Sequence, residues 1–120
     1  MSIEKYNMKE VVNSLIPFDG YQALTIIKWI FIKRGTKLRQ KTYTHEAIHY
    51  EQWKECLILL FLPIYVLEYA IKLLYTFNHG RAYRSISFEQ EAYKFESYIT
   101  YPEERKAYYW VRYIFKLASK

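Results

Sequence analysis

The chain has 120 residues, 52% of them hydrophobic and 25% charged, which suits one packed domain over residues 1–120 and excludes a disordered segment. The formal charge of +6 favours anionic partners. The one dense basic group is Lys33, Arg34, Lys37, Arg39 and Lys41, and no nucleic-acid-binding module accompanies it. No nucleic-acid partner is therefore expected, and an anionic membrane surface is the other partner that positive charge favours.

The N-terminal segment MSIEKYNMKE is polar and lacks the apolar core of a secretory signal. The expected location is the cytoplasm or the cytoplasmic face of a membrane. Apolar residues at Ile3, Tyr6, Val11, Val12 and Leu15 predict a short amphipathic helix over 3–15. Ile16-Pro17-Phe18-Asp19-Gly20 then predicts a turn. Residues 24–32 are β-branched and aromatic, without Gly or Pro, and predict one strand, covered on both faces or covered on one and facing a partner on the other. Arg34-Gly35-Thr36 ends it.

Next comes Thr44-His45-Glu46-Ala47-Ile48-His49, which reads H-E-x-x-H, the zinc-peptidase signature. Helical geometry explains the spacing. Two histidines four apart project from one face about 6 Å apart along the axis, so both rings can address one ion. Zinc takes neutral imidazole nitrogens, and a catalytic zinc keeps a position open for water. Glu46, beside the first ligand, is the candidate to take that water's proton. Thr42 or Thr44 is placed to cap the helix, which is predicted to run to Leu62 with Pro63 as an interruption. The metzincin continuation fails, because its Gly and third His are replaced here by Gln52 and Glu55.

Cys56 stands alone and reads as a small buried hydrophobe. The apolar run 56–75 is broken by the Glu68–Lys72 pair at i,i+4 and is shorter than the roughly 20 residues of a spanning helix. A buried core helix is expected, with an in-plane membrane segment as the alternative. Asn78-His79-Gly80 predicts a loop. Tyr83, His79 and Arg84 are candidate donors to the oxyanion of a tetrahedral intermediate. Ser87 and Gln90 form a capping-box pattern, placing Glu89 in the first turn of a second helix whose apolar face is Phe88, Ala92 and Phe95. Thr100-Tyr101-Pro102-Glu103 is a second capping-box pattern and predicts a last helix reaching Ala118. Tyr109, Trp110, Tyr113, Ile114 and Leu117 would share one face of it. No feature selects an oligomeric state.

H-E-x-x-H followed on a later helix by Glu89-Gln90-Glu91-Ala92 resembles the gluzincins, zinc peptidases whose third ligand is a glutamate. The second motif is similar to that of the Ste24/HtpX-like membrane peptidases, and the length to the short minigluzincins. The resemblance covers residues 23–98. It implies Zn²⁺ held by His45, His49 and Glu89, with Ala92 as the small residue and Tyr93 standing where the family has an aspartate. Glu91 and His79 remain open as alternative third ligands. It also implies that the strand before the active-site helix borders the cleft and pairs with an extended polypeptide substrate. The expected fold is α+β, mostly helical, with a short sheet preceding the active-site helix. The expected function is zinc-dependent peptide hydrolysis with Glu46 as base. The competing reading is a catalytically inactive, zinc-stabilised or membrane-associated interaction protein.

Overall fold

The computed structural model describes residues 6, 8–13 and 23–118. The fold is α+β, with a three-stranded mixed sheet followed by helices. The strands are β1 (Lys9–Asn13), β2 (Ala23–Ile26) and β3 (Trp29–Lys33), in the spatial order β1-β3-β2. β1 runs parallel to β3, in register from Lys9 opposite Trp29 to Asn13 opposite Lys33. β2 runs antiparallel to β3 and lies at an edge of the described sheet.

Two sequence expectations change here. The helix predicted over 3–15 is strand β1 where it is described. Its apolar pattern is weak, a short isolated helix is marginal in water, and Val11-Val12 suits a pleated strand that pairs with β3. The single strand predicted over 24–32 is a hairpin, closed by a two-residue turn at Ile27-Lys28. Ile27 takes φ 57, a costly conformation for a β-branched residue. Its side chain packs against the main aromatic cluster, which offsets that cost. No Gly or Asn marks the turn, so the sequence conceals it. The turn expected at 16–20 lies outside the described residues.

Helix α1 (Gln40–Glu55) starts earlier than expected and has no side-chain cap. Thr44 lies inside it, bonded through Oγ1 to the Tyr6 hydroxyl at 2.8 Å. The helix stops at Glu55 rather than running to Leu62, because Leu57 and Ile58 take φ 52 and 68. Pro63 instead occupies the first turn of α2 (Phe61–Thr76), where a missing N–H leaves no helical bond unmade. The loop expected at Asn78-His79-Gly80 instead opens α3 (His79–Ser85), capped by the Asn78 side chain on the Arg81 N–H. Helix α4 (Ser87–Phe95) begins where expected, but without a capping box. The last helix is only α5 (Tyr101–Glu104), followed by a 3-10 turn at Tyr109–Tyr113.

The core is an aromatic stack joining the helices. Phe61 at the start of α2 lies between Trp53 of α1 and Phe88 of α4, with ring centroids 4.4 Å away on each side. Trp110 closes the stack against Phe88 at 4.5 Å. Each such pair contributes about 0.5–1.5 kcal/mol beyond simple burial. Cys56 joins this cluster as the small buried hydrophobe expected, and burial pushes its thiol up to about 11. A smaller cluster of Ile30, Ile32, Leu38 and Tyr43 ties β3 to α1. The two clusters hold α1 against β2 on one side and α4 on the other.

Candidate metal centre

α1 carries His45, Glu46 and His49, all buried. α4 brings Glu89 of its first turn against the same face. Nε2 of His45 lies 3.0 Å from Oε1 of Glu89, and Nε2 of His49 lies 3.1 Å from the same oxygen. The two Nε2 atoms are 3.2 Å apart. Among the described residues, this is the one group of three or more His, Cys, Asp or Glu side chains placed to hold a metal ion.

The surrounding hydrogen bonds fix what each of these atoms offers. Nδ1 of His45 lies 2.9 Å from Oε1 of Glu96, and a carboxylate only accepts, so the His45 proton is on Nδ1. Nδ1 of His49 lies 2.7 Å from Oε1 of Gln52. The Gln52 amide cannot be turned round, because its nitrogen donates to the Phe88 carbonyl at 3.1 Å and to Glu91 Oε1 at 2.9 Å. His49 is therefore also protonated on Nδ1. In their neutral forms both imidazoles would therefore turn an Nε2 lone pair towards the Glu89 oxygen. Three electron-pair donors would then meet, an arrangement that only a cation, a proton or a metal ion, makes favourable.

The donor set fits a four-coordinate ion. Ligands at 2.0–2.1 Å in a tetrahedron lie about 3.3 Å apart, and the observed edges are 3.0, 3.1 and 3.2 Å. Glu89 is set to offer one oxygen, since Oε2 accepts the Tyr65 hydroxyl at 2.7 Å. In the metal-free chain protons take the cation's place. Burial alone would lower the His45 pKa, but Glu89 and Glu96 push it up to about 10. His49 rises for the same reason, with Glu89 the main partner overcoming burial. Burial would raise Glu89, and the two imidazoles instead hold it well below the usual carboxylate range.

Glu46 faces the same space. Thr25 of β2 donates its hydroxyl to Oε1 of Glu46 at 2.6 Å. Burial raises the Glu46 pKa, and His45, His49 and Thr25 offset only part of that rise. A cleft of ≈ 290 Å³ opens here. Ala23, Leu24, Thr25 and Ile26 line it, together with Glu46, His49, Trp53 and Glu89. Phe61, Leu62, Tyr65 and Tyr83 complete the lining. β2 thus borders the cleft along its outer edge. A two-residue hairpin turns the backbone groups of Thr25 away from β3, and the Trp53 indole takes the Thr25 carbonyl at 3.3 Å.

The alternative ligands lie elsewhere. Glu91 is engaged by Arg105 through two bonds of 2.7 Å and by the Tyr101 hydroxyl at 2.7 Å. His79 is exposed and bonded to the Tyr69 hydroxyl at 2.7 Å. Of the three candidate oxyanion donors, Tyr83 lines the cleft, while His79 and Arg84 do not. Burial and the nearby Glu89 push the Tyr83 hydroxyl upward, which keeps its proton in place.

The roles of three positioning residues escaped the sequence reading, although Glu96 was expected on the same helix face as Glu89. Glu96 lies seven residues after Glu89, two helical turns on, and so shares its face; that spacing was the available signal. It supplies the carboxylate that Tyr93 cannot, while Tyr93 instead packs edge-on against His45 at 4.5 Å. Gln52, three residues after His49, shares that histidine's face, yet it stood out only for not being glycine. Tyr65 sat within an apolar run and gave no signal. No protein-family model, curated protein or solved structure matches the chain.

Proposed function

We propose that the protein is a zinc-dependent metallopeptidase of gluzincin type, with His45, His49 and Glu89 as ligands. The observation that carries this reading is the convergence of two Nε2 atoms and one carboxylate oxygen, with each imidazole pinned through Nδ1. The donor set of two imidazoles and a carboxylate, with one position left open, suits zinc in a hydrolytic role. A bound zinc would make a water acidic near neutral pH and polarise the carbonyl to be attacked.

The chain's own residues supply the rest. Thr25 occupies Oε1 of Glu46 and leaves Oε2 to take the proton of the attacking water. Burial raises the proton affinity of Glu46 and suits it to act as base near neutral pH. Glu46 then passes the proton to the leaving amine. Tyr83, kept protonated, donates to the oxyanion. An extended polypeptide lies along β2, with backbone bonds from its outer edge and side chains in the apolar cleft. The resemblance to gluzincins in the H-E-x-x-H helix and the later glutamate helix supports the same assignment.

The test begins with zinc content per chain in the wild type and in Glu89→Ala. About one zinc in the wild type and a marked loss in the variant are expected. Hydrolysis of a fluorescently labelled unfolded protein follows, with Glu46→Gln alongside. That variant is expected to keep zinc and lose turnover. Wild-type protein without zinc after reconstitution, or Glu46→Gln with full turnover, would refute the proposal.

A further inference from the structure

Helix α2 is built inside out. Its only two charged residues, Glu68 and Lys72, are 8% and 5% exposed. They pair with each other at 2.9 Å and with the α3–α4 junction. Its outward positions are apolar: Leu62, Val66, Leu67, Ile71 and Leu74 are all exposed. The turn before it adds Leu57, Ile58, Leu59 and Leu60, with Leu59 82% exposed, and Phe77 follows at 88%. The patch continues onto the C-terminal segment, where Ile71 and Tyr75 border the same hollow as Ile114, Phe115 and Leu117. Phe115 is 99% exposed. A contiguous apolar surface on this scale marks a binding face rather than a chance exposure.

Charge identifies what covers it. Apart from the buried pair, residues 57–85 and 106–118 contain Arg81, Arg84, Lys106, Arg112 and Lys116, and no Asp or Glu. Arg112 and Lys116 alternate with Val111 and Phe115 in the exposed segment. Arg81 bonds the Ala118 carbonyl at 3.0 Å, and Arg84 borders a hollow with Tyr113 and Ala118. Apart from Glu55, which precedes the turn and is paired with Arg105, the charges of these segments are cations, and an apolar face with such charges matches an anionic bilayer surface, where the chains insert and the cations reach phosphate. A second copy of this chain would bring one cationic rim against another.

The backbone also meets the demand of lipid. The N–H groups of Leu57, Ile58, Leu59 and Leu60 all donate within the segment, to Lys54, Trp53, Leu57 and Cys56 carbonyls. α2 has 16 residues, about 24 Å, and positive-φ residues bound it at Ile58 and Phe77. No helix of the described residues is long and apolar enough to cross a membrane. We infer that the 57–60 turn, α2 and the C-terminal segment form an in-plane docking face for anionic bilayers. Leu62 belongs both to this face and to the cleft lining, so docking sets the cleft mouth beside the lipid.

The test is co-sedimentation with phosphatidylcholine vesicles, with and without phosphatidylserine. Wild type is compared with Leu59→Glu/Leu67→Glu and with Arg112→Ala/Lys116→Ala, with circular dichroism to confirm folding. Both leucines are exposed, so the charges disturb no buried contact. Wild type is expected to sediment with the anionic vesicles. The leucine double variant is expected to stay in the supernatant. Each cation removed should weaken binding about fivefold, so the arginine–lysine variant should lose about 25-fold. Wild type remaining in the supernatant with both vesicle types would overturn the inference. So would unchanged binding by the leucine variant, or a wild-type dimer that ignores vesicles and dissociates on Leu59→Glu.

Discussion

Replacing Glu96 by Ala tests whether the second carboxylate on His45 matters to the metal. Glu96 accepts from Nδ1 of His45 at 2.9 Å, and its other oxygen meets Lys41 at 3.2 Å. Its side chain is 13% exposed, so the bond lies mostly out of water. A hydrogen bond to a charged partner in such a place contributes about 1.5–3 kcal/mol. Loss of that bond lets the imidazole rotate and lowers its basicity, so zinc affinity should fall about 10- to 100-fold. Glu96→Gln keeps an acceptor oxygen and should fall between the two. Lys41 is half exposed, and Lys41→Ala should cost no more than about threefold, because a screened ion pair contributes little. Competition against a chromophoric chelator reads all three variants on one scale. Glu96→Ala binding zinc like wild type would refute the reasoning. Lys41→Ala matching the loss would show that the local field, rather than the bond to Nδ1, sets the affinity.

In the metal-free chain, His45 is raised from 6.5 to about 10, so its contribution to stability is full below pH 6.5 and is lost as pH rises through about 10. Zinc must displace the same protons, so its affinity should climb through that window; a flat profile by chelator competition would count against the site. Glu68→Leu strands the Lys72 ammonium in the interior and should cost about 3–5 kcal/mol in urea unfolding, with only part of it recovered by the double variant Glu68→Leu/Lys72→Met, because the buried Ser87 N–H and hydroxyl still lack their acceptor. A Glu68→Leu protein as stable as wild type would show that the pair is not buried in solution. Tyr83→Phe removes the proposed oxyanion donor. It should lower kcat about 100- to 1000-fold with zinc content unchanged, and normal turnover would remove Tyr83 from the mechanism.

What could be read from the chain alone depended on how local the cause was. The pairing of His45 with His49 is fixed by helix pitch, so spacing alone exposes it. Glu89 was reachable because Ser87 marks a helix start, although no capping box forms there. Ser87 donates its backbone N–H to Glu68 Oε1 at 2.9 Å, and its hydroxyl also goes to Glu68. The Gln90 side chain turns to the Ser85 carbonyl at 2.7 Å. A tertiary partner thus took over the groups that a local cap would have used. Helix spacing puts Glu96 on the face of Glu89, but its bond to His45, like the places of Gln52 and Tyr65, depends on the packing of α1, α2 and α4, which no local pattern encodes. The hairpin at Ile27 and the break at Leu57-Ile58 escaped because each uses β-branched or Leu residues at positive φ, where turn chemistry expects Gly or Asn.

A tertiary cause also sets the polarity of α2. An i,i+4 ion pair such as Glu68 and Lys72 ordinarily lies on the solvated face of a helix, with the apolar residues turned inward. The structure reverses this. The Lys72 ammonium also bonds the Ser85 carbonyl, and the Tyr113 carbonyl at 3.3 Å. Gln90 donates to the same two carbonyls, and the pair from α2 completes the network, with Glu68 accepting from the Ser87 N–H and hydroxyl. Burying that pair fixes the rotation of α2. Once the rotation is fixed, Phe61 and Tyr65 must face Phe88 and Glu89, and Leu67 and Leu74 must face outward. One buried ion pair therefore orients both the tyrosine that holds the candidate ligand and the apolar surface proposed to meet lipid. The metal centre and the docking face are two sides of a single helix orientation.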